Sequence, residues 1–256
     1  MLSKGEGITL LRRRQGETST ICVLLTRQFG KMSMIAKGAR TARSRFLGVL
    51  EPYQHIRFTG YFKEGRDLHY LSSAEIVRDF PALHNQLGKM SLAAVACEVI
   101  EKTEAPEHIN PGLFTLTLDY LTALERGEKG VRNLLRAFLL RFCRLSGFEP
   151  ALGQCRSCGR SETQGTVHFN LLGGYYFCAR CAGIKGEGID VSAEALELMR
   201  RLSGTPLASI AGGRTSADLG AEADRFLLIY LRHHIEELGN LKTIEYLRQL
   251  QNGLGN

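Results

Sequence analysis

The chain has 256 residues and lacks any stretch near the roughly 20 consecutive apolar residues that a membrane-spanning helix needs. Its longest apolar runs, 92–97 and 226–231, have the length of helix cores. No secretory leader is legible, because Arg12, Arg13 and Arg14 arrive before an apolar region can form. A cytoplasmic protein without membrane attachment is therefore expected. Internal repeats and low-complexity segments are missing too, which excludes a solenoid or a disordered tether. Catalytic signatures are equally scarce. GKMS occurs at 30–33 and 88–91, but neither copy has Ser or Thr directly after Lys, nor the loop glycine that a phosphate cradle requires. His233 and His234 precede Glu236 and Glu237 without forming HEXXH, and adjacent histidines point in different directions on a helix. No Ser/His/Asp or Cys/His set announces itself, so an enzyme is not expected.

One further scarcity turns the reading positive. Residues 1–45 hold only two acids, Glu6 and Glu17, against ten Lys or Arg, a net charge of +8. The whole chain carries +7, so the other 211 residues come to −1. Natural surfaces usually intersperse the two signs, and a concentrated basic field points to a polyanion. Nucleic acid is the expected one, since the segment alternates instead of showing the stripe of a membrane-surface helix.

Residues 8–14, 18–26, 31–37, 46–62 and 68–79 read as strands, being short, β-branched or aromatic, and separated by Gly16, Gly30, 38–44 and 64–65. Five such strands in about 80 residues fit a small closed barrel of the OB type, although an SH3-like barrel gives a similar string. Apolar spacing then changes to the helical period over 82–102, 111–126, 131–146, 192–203, 217–238 and 241–251. Pro81 and Pro111 suit first helical turns, with Asn110 as an N-cap. The fold class expected is α+β: an OB-fold domain at 1–80, an α-helical domain at 81–150 and 187–256, and a module at 151–186 inserted in it.

The cysteines define that module. Cys22, Cys97 and Cys143 stand alone in apolar surroundings and read as buried thiols. The other four form Cys155-x2-Cys158 and Cys178-x2-Cys181, nineteen residues apart, the ribbon spacing for a tetrahedral Zn²⁺. Between them, 166–170 and 175–177 flank a turn and read as a hairpin. Two disulfides are the structural alternative, but nothing suggests an oxidising compartment. His168 lies between the pairs and reads as a hairpin residue, since four thiolates already close a structural site.

The run RRRQGETSTICVLLTRQFGKMSMIAKGARTARSRFLGVLEPYQHI (12–56) resembles the N-terminal domain of the RecO family of bacterial DNA repair proteins. Its most specific parts are LLTRQFGKMSMIAKGAR (24–40) and SRFLGVLEP (44–52). RLSGFEPALGQCRSCG (144–159) resembles the entry to that family's zinc module, and YLRHHIEELGNLKTIEYL (230–247) its C-terminal helices. Thr41 and Ala42 depart from the pattern, where relatives often carry further basic or proline residues. The resemblance implies a recombination mediator that binds single- and double-stranded DNA and anneals complementary strands. It also implies RecR as partner and help for RecA in replacing single-strand-binding protein.

Arg12, Arg14, Lys31, Lys37, Arg40, Arg43 and Arg45 are the expected DNA contacts, and Arg13, facing the other side of its strand, is less favoured. Phe46, Tyr53, Phe58 and Tyr61 have the chemistry to stack on bases, although alternation sends about half of them into the barrel. Arg132 and Arg136, on adjacent turns beside Leu135 and Phe138, are expected to meet the acidic tail of single-strand-binding protein that the resemblance implies. An RNA-binding zinc-ribbon factor of transcription or the ribosome is the alternative function.

Overall fold

A computed structural model of the chain describes residues 2–62, 65–161, 164–181, 183, 187–210 and 212–240. The expected helix at 241–251 lies outside the described residues. The chain forms two compact units, Met1–Glu125 and Arg126–Asn240.

The first unit is built on β1 (Leu2–Gln15), β2 (Ser19–Thr26), β3 (Gly30–Ala36), β4 (His55–Tyr61) and β5 (Leu68–Arg78). They close into a barrel in the order β1-β2-β3-β5-β4, with β3 and β5 parallel. Alternation places Cys22, Leu24, Met32, Met34, Ile56, Phe58 and Leu71 inside. Gly5 faces the same interior, where a Cβ would stand 2.9 Å from the Phe58 ring. A shift of register between Thr9 and Leu11 resets β1, so that Arg12 and Arg14 share the face of Cys22 and Thr20.

The expected strand at 46–62 is corrected: only His55–Tyr61 is strand, and residues 38–50 run through turns. The reason is interior volume. Phe46 and Leu50 leave the surface to plug the barrel, a task that a strand alternating along its wall cannot perform.

Three helices complete this unit: α1 (Pro81–Asn85), α2 (Leu87–Thr103) and α3 (Pro111–Arg126). The helix read as continuous over 82–102 breaks at Gln86, whose backbone is extended. Asn110 Oδ1 accepts from the Leu113 N–H at 3.0 Å and caps α3 as expected. The Gly-Lys-Met-Ser copies are structural. Gly30 has a positive φ of 70° against the His108 carbonyl, and Lys89 donates to the Glu125 carbonyl at 2.7 Å. The compact units divide after Glu125, so α1 to α3 group with the barrel, a different division from the one drawn at 80/81.

The second unit holds α4 (Val131–Leu145), β6 (Thr166–Asn170), β7 (Tyr175–Phe177), β8 (Gly188–Ser192), α5 (Ala193–Gly204), α6 (Leu207–Ile210), α7 (Ala217–His234) and a 3-10 turn, Glu236–Asn240. The hairpin of β6 and β7 falls on the expected residues. β8 was not expected, and pairs with the free side of β6 to give a sheet ordered β7-β6-β8. Val191, buried between its polar neighbours, was the available signal. Phe169 of β6 meets Phe226 and Tyr230 of α7 edge-on, at 4.8 and 5.7 Å between ring centres. His234 stacks on Phe148 and bonds to the Leu171 carbonyl at 3.0 Å, so it anchors the end of α7, while His233 is exposed.

Ser192 ends β8 and caps α5, accepting from the Ala195 N–H at 3.1 Å and donating to Glu222 at 2.6 Å. Ser192→Ala is expected to cost about 1 kcal/mol of this unit's stability, as cap losses do. Chemical denaturation of the variant against the parent measures it.

Candidate nucleic-acid interface and metal centre

In the second unit, the two CxxC turns bring four sulfurs within 4.8 Å of one another, the group able to hold a metal ion among the described residues. Cys158 Sγ lies 3.8 Å from Cys178 Sγ. That is the edge of a tetrahedron whose centre is about 2.3 Å from each sulfur, the usual zinc–thiolate length. It is far beyond a disulfide bond of about 2.05 Å, and all seven cysteines are free, so the disulfide alternative falls.

The Cys178 N–H donates to Cys155 Sγ at 3.3 Å. Burial opposes ionisation of Cys155. Donors from the backbone of Cys178, Cys158 and Ser157, with the Cys158 thiol, outweigh it and pull its pKa down to about 6. The donor set therefore fits a soft, thiolate-seeking cation. His168 is no part of it, for its Nδ1 is engaged with Asp190 Oδ1 at 2.8 Å. Cys22, Cys97 and Cys143 are buried elsewhere, and burial pushes each pKa up to about 12, as inert core thiols require.

The basic residues converge on one end of the barrel. Arg12, Arg13 and Arg14 are exposed on the overhang of β1, and Lys37, Arg40, Arg43 and Arg45 are exposed on the turns after β3. The two groups are tied together by Arg40. Its N–H donates to the Thr18 carbonyl at 2.9 Å and its guanidinium to the Gly16 carbonyl at 3.1 Å. Sequence reasoning missed Glu51, which holds Arg12 at 2.5 Å and offsets part of its charge.

Lys31 is a correction to the expected DNA contacts. It is half-buried and its ammonium donates to the Glu101 carbonyl. Burial lowers its pKa, against the pull of Glu101 and Glu104. It ties β3 to the end of α2 and does not belong to the open basic end. Of the four aromatics, Phe46 and Phe58 fill the interior, Tyr53 is half-buried with a positive φ of 73°, and Tyr61 stands outside at 51% exposure.

Arg136 is the second correction. It is 4% exposed, and its guanidinium grips both carboxylate oxygens of Asp224 at 2.7 and 2.9 Å, the Gly220 carbonyl at 3.0 Å and Asn133 Oδ1 at 2.6 Å. The sequence places it correctly beside apolar residues, but Asp224, 88 residues away, draws it inward. Arg132 keeps a half-exposed side chain 3.7 Å from the same carboxylate.

A closed five-stranded barrel with a basic end, together with helices and a four-thiol knuckle, defines a class: a small-barrel protein with a second unit whose four thiols could hold a metal ion. Residues 1–80 match the family described as Recombination protein O N terminal, and residues 84–244 match Recombination protein O C terminal. The chain is 34% identical over 249 residues to the DNA repair protein RecO of Symbiobacterium thermophilum, covering 96% of each. It is 34% identical over 233 residues to that of Anaeromyxobacter dehalogenans strain 2CP-1, covering 91% of each. To that of Alkaliphilus metalliredigens it is 28% identical over 250 residues, covering 98% of this chain and all of the relative. The chain belongs to the RecO family of DNA repair proteins.

Proposed function

We propose that this chain is a non-catalytic recombination mediator that binds single- and double-stranded DNA on the basic end of its barrel and anneals complementary strands. The observation that carries this reading is the convergence of Arg12, Arg14, Lys37, Arg40, Arg43 and Arg45 on the linked β1–β2 and post-β3 segments. Such an array follows phosphates without reading bases, which suits a protein acting on any sequence. Annealing needs no general acid or base, because neutralising the phosphates of two strands lowers their repulsion and complementarity does the rest. From the family resemblance, RecR is the proposed partner, and RecA is helped onto strands coated with single-strand-binding protein. That protein's tail is a proposed ligand of the helical domain, with Arg136 no longer among its contacts. The site of action proposed is the cytoplasm, at the nucleoid during repair. Among the described residues no helix is long and apolar enough to cross a membrane.

The cation proposed for Cys155, Cys158, Cys178 and Cys181 is one structural Zn²⁺, in a module at 151–186. Four thiolates leave no open position for water or substrate, so its contribution is to folding.

Arg43→Glu with Arg45→Glu is expected to weaken DNA binding tenfold or more, at roughly physiological salt, for every sequence. The slope of log affinity against log salt should flatten by about 1.4 to 1.8 as two phosphate contacts are lost. Anisotropy titrations across a salt series measure both quantities. Normal binding by the double variant at moderate salt would remove the post-β3 turns from the interface. A parallel RNA strand bound in preference to DNA would favour an RNA-binding factor, and DNA cut in the presence of Mg²⁺ would overturn the non-catalytic reading.

A further inference from the structure

The outer wall of the barrel carries a second feature that the arginines do not explain. The register aligns Ile35 of β3 with Tyr70 of β5, Tyr70 with Tyr61 of β4, and Tyr61 with Leu2 of β1. Their neighbours Met34, Leu71, Phe58 and Gly60 face the interior, so these four side chains form one row on the outside. The row is open: Tyr61 is 51% exposed, Leu2 is 52% exposed, and Ile35 and Tyr70 are half-exposed. It spans three strand spacings of about 4.8 Å. The rings of Tyr61 and Tyr70 lie side by side, 5.9 Å between centres and tilted by 38°.

Lys37 reaches over the Tyr70 ring, its Nζ 5.9 Å from the centre, and belongs also to the basic end. Exposed Lys4 sits on β1 opposite Thr59, one step along the same outer face from Leu2 and Tyr61. The row is thus flanked by cations and runs on from the phosphate-binding end. Two adjacent exposed rings have no evident task in barrel closure. A duplex hides its base faces, whereas a single strand offers both unpaired bases and phosphates. Ring faces beside ammonium groups complement that pairing of chemistries.

We propose that Tyr61 and Tyr70 form a base-stacking step for single-stranded nucleic acid, with Lys37 holding the phosphate alongside. The proposal rests on the DNA-binding reading above and deepens it, because it makes the protein's grip on an unpaired strand different in kind from its grip on a duplex. The step takes any base and prefers none, as every base has a π face.

The test uses the full chain, an oligothymidylate, an abasic oligodeoxynucleotide of equal length, and a duplex. The wild-type protein is expected to bind the thymidylate more tightly than the abasic strand. The protein contains no tryptophan, so quenching of tyrosine emission should accompany thymidylate binding and be absent with the abasic strand. Tyr61→Ala and Tyr70→Ala should each weaken thymidylate binding about tenfold. Affinities for the abasic strand and the duplex should stay within about twofold. Tyr61→Phe and Tyr70→Phe should keep full thymidylate affinity, because the ring and not the hydroxyl does the stacking. Equal thymidylate affinity in the alanine variants, or equal losses on all three ligands, overturns the stacking step while leaving the phosphate interface standing. Failure of the wild-type protein to bind any of the three overturns the DNA-binding reading itself.

Discussion

Cys155→Ser is expected to abolish metal binding by the four-thiol cluster and to unfold the two knuckles, with the largest loss of stability of any single change in this chain. Among the described residues, the links near the cysteines are short-range ones, such as the Arg156 N–H to the Tyr176 carbonyl at 2.9 Å and the Arg156 guanidinium over the Tyr175 ring. Zinc binding in small four-ligand modules is worth about 10 kcal/mol or more of folding free energy. Without the cation, four sulfurs within 4.8 Å would either repel as thiolates or stay protonated around an empty centre. The sheet is held independently, because Phe169 is clasped by Phe226 and Tyr230. The variant should therefore lose the knuckles while α4, α5 and α7 keep their packing. Elemental analysis of protein purified without chelator should give about one zinc per chain, against much less in the variant. Limited proteolysis should cut the variant, and the chelated parent, inside 151–186. A parent that carries no metal and resists proteolysis there would sink the assignment.

Arg136→Ala should rank next, at about 3 kcal/mol, with the effect confined to the second unit. The side chain makes four hydrogen bonds, all charge-assisted because the guanidinium donates them, and joins α4 to α7. Its loss takes a donor from the Gly220 carbonyl and Asn133 Oδ1 and leaves Asp224 only the longer contact with Arg132, and breaking such a pair from one side costs several kcal/mol. Asp224 is partly solvated, its side chain 37% exposed, which keeps the estimate at the lower end. Asp224→Ala should be worse than Asp224→Asn, because only the first removes both of the acceptor oxygens that Asp224 offers the buried guanidinium. Arg132→Ala, by contrast, should cost less than 1 kcal/mol, since its contact with Asp224 is long and half-exposed. Urea denaturation of the four variants and of the Arg136→Ala, Asp224→Ala double variant closes a double-mutant cycle that measures the coupling. A cost below about 1 kcal/mol for Arg136→Ala would mean that the clasp is not holding α4 to α7. The result also bears on partner binding: lost affinity for an acidic tail in Arg136→Ala would report a loosened unit before it reported a lost contact.

Much of this was legible in the chain itself. Short β-branched or aromatic runs between turns marked β1, β2, β3 and β5, and helical spacing marked α3, α4, α5 and α7, because such residues fill a barrel wall and an amphipathic helix buries one face. The cysteine spacing named the four sulfurs that the fold gathers within 4.8 Å, since a knuckle is a local turn whose geometry is written in four consecutive residues. The concentration of Lys and Arg in 1–45 is likewise a sum over sequence, and needs no fold to be counted. What the sequence could not decide were relations between distant residues. Whether 46–54 was strand or plug depended on the space left inside a barrel already closed by other strands. Whether Arg136 faced a partner or the interior depended on Asp224, and Lys31 was drawn from the basic field by the end of α2. The row of Ile35, Tyr70, Tyr61 and Leu2 exists only through the register of four strands. Local patterns follow from the burial of a single face, which neighbouring residues encode together. The fate of an individual charge or ring follows from which far residue the closed fold brings beside it, and only the tertiary structure settles that.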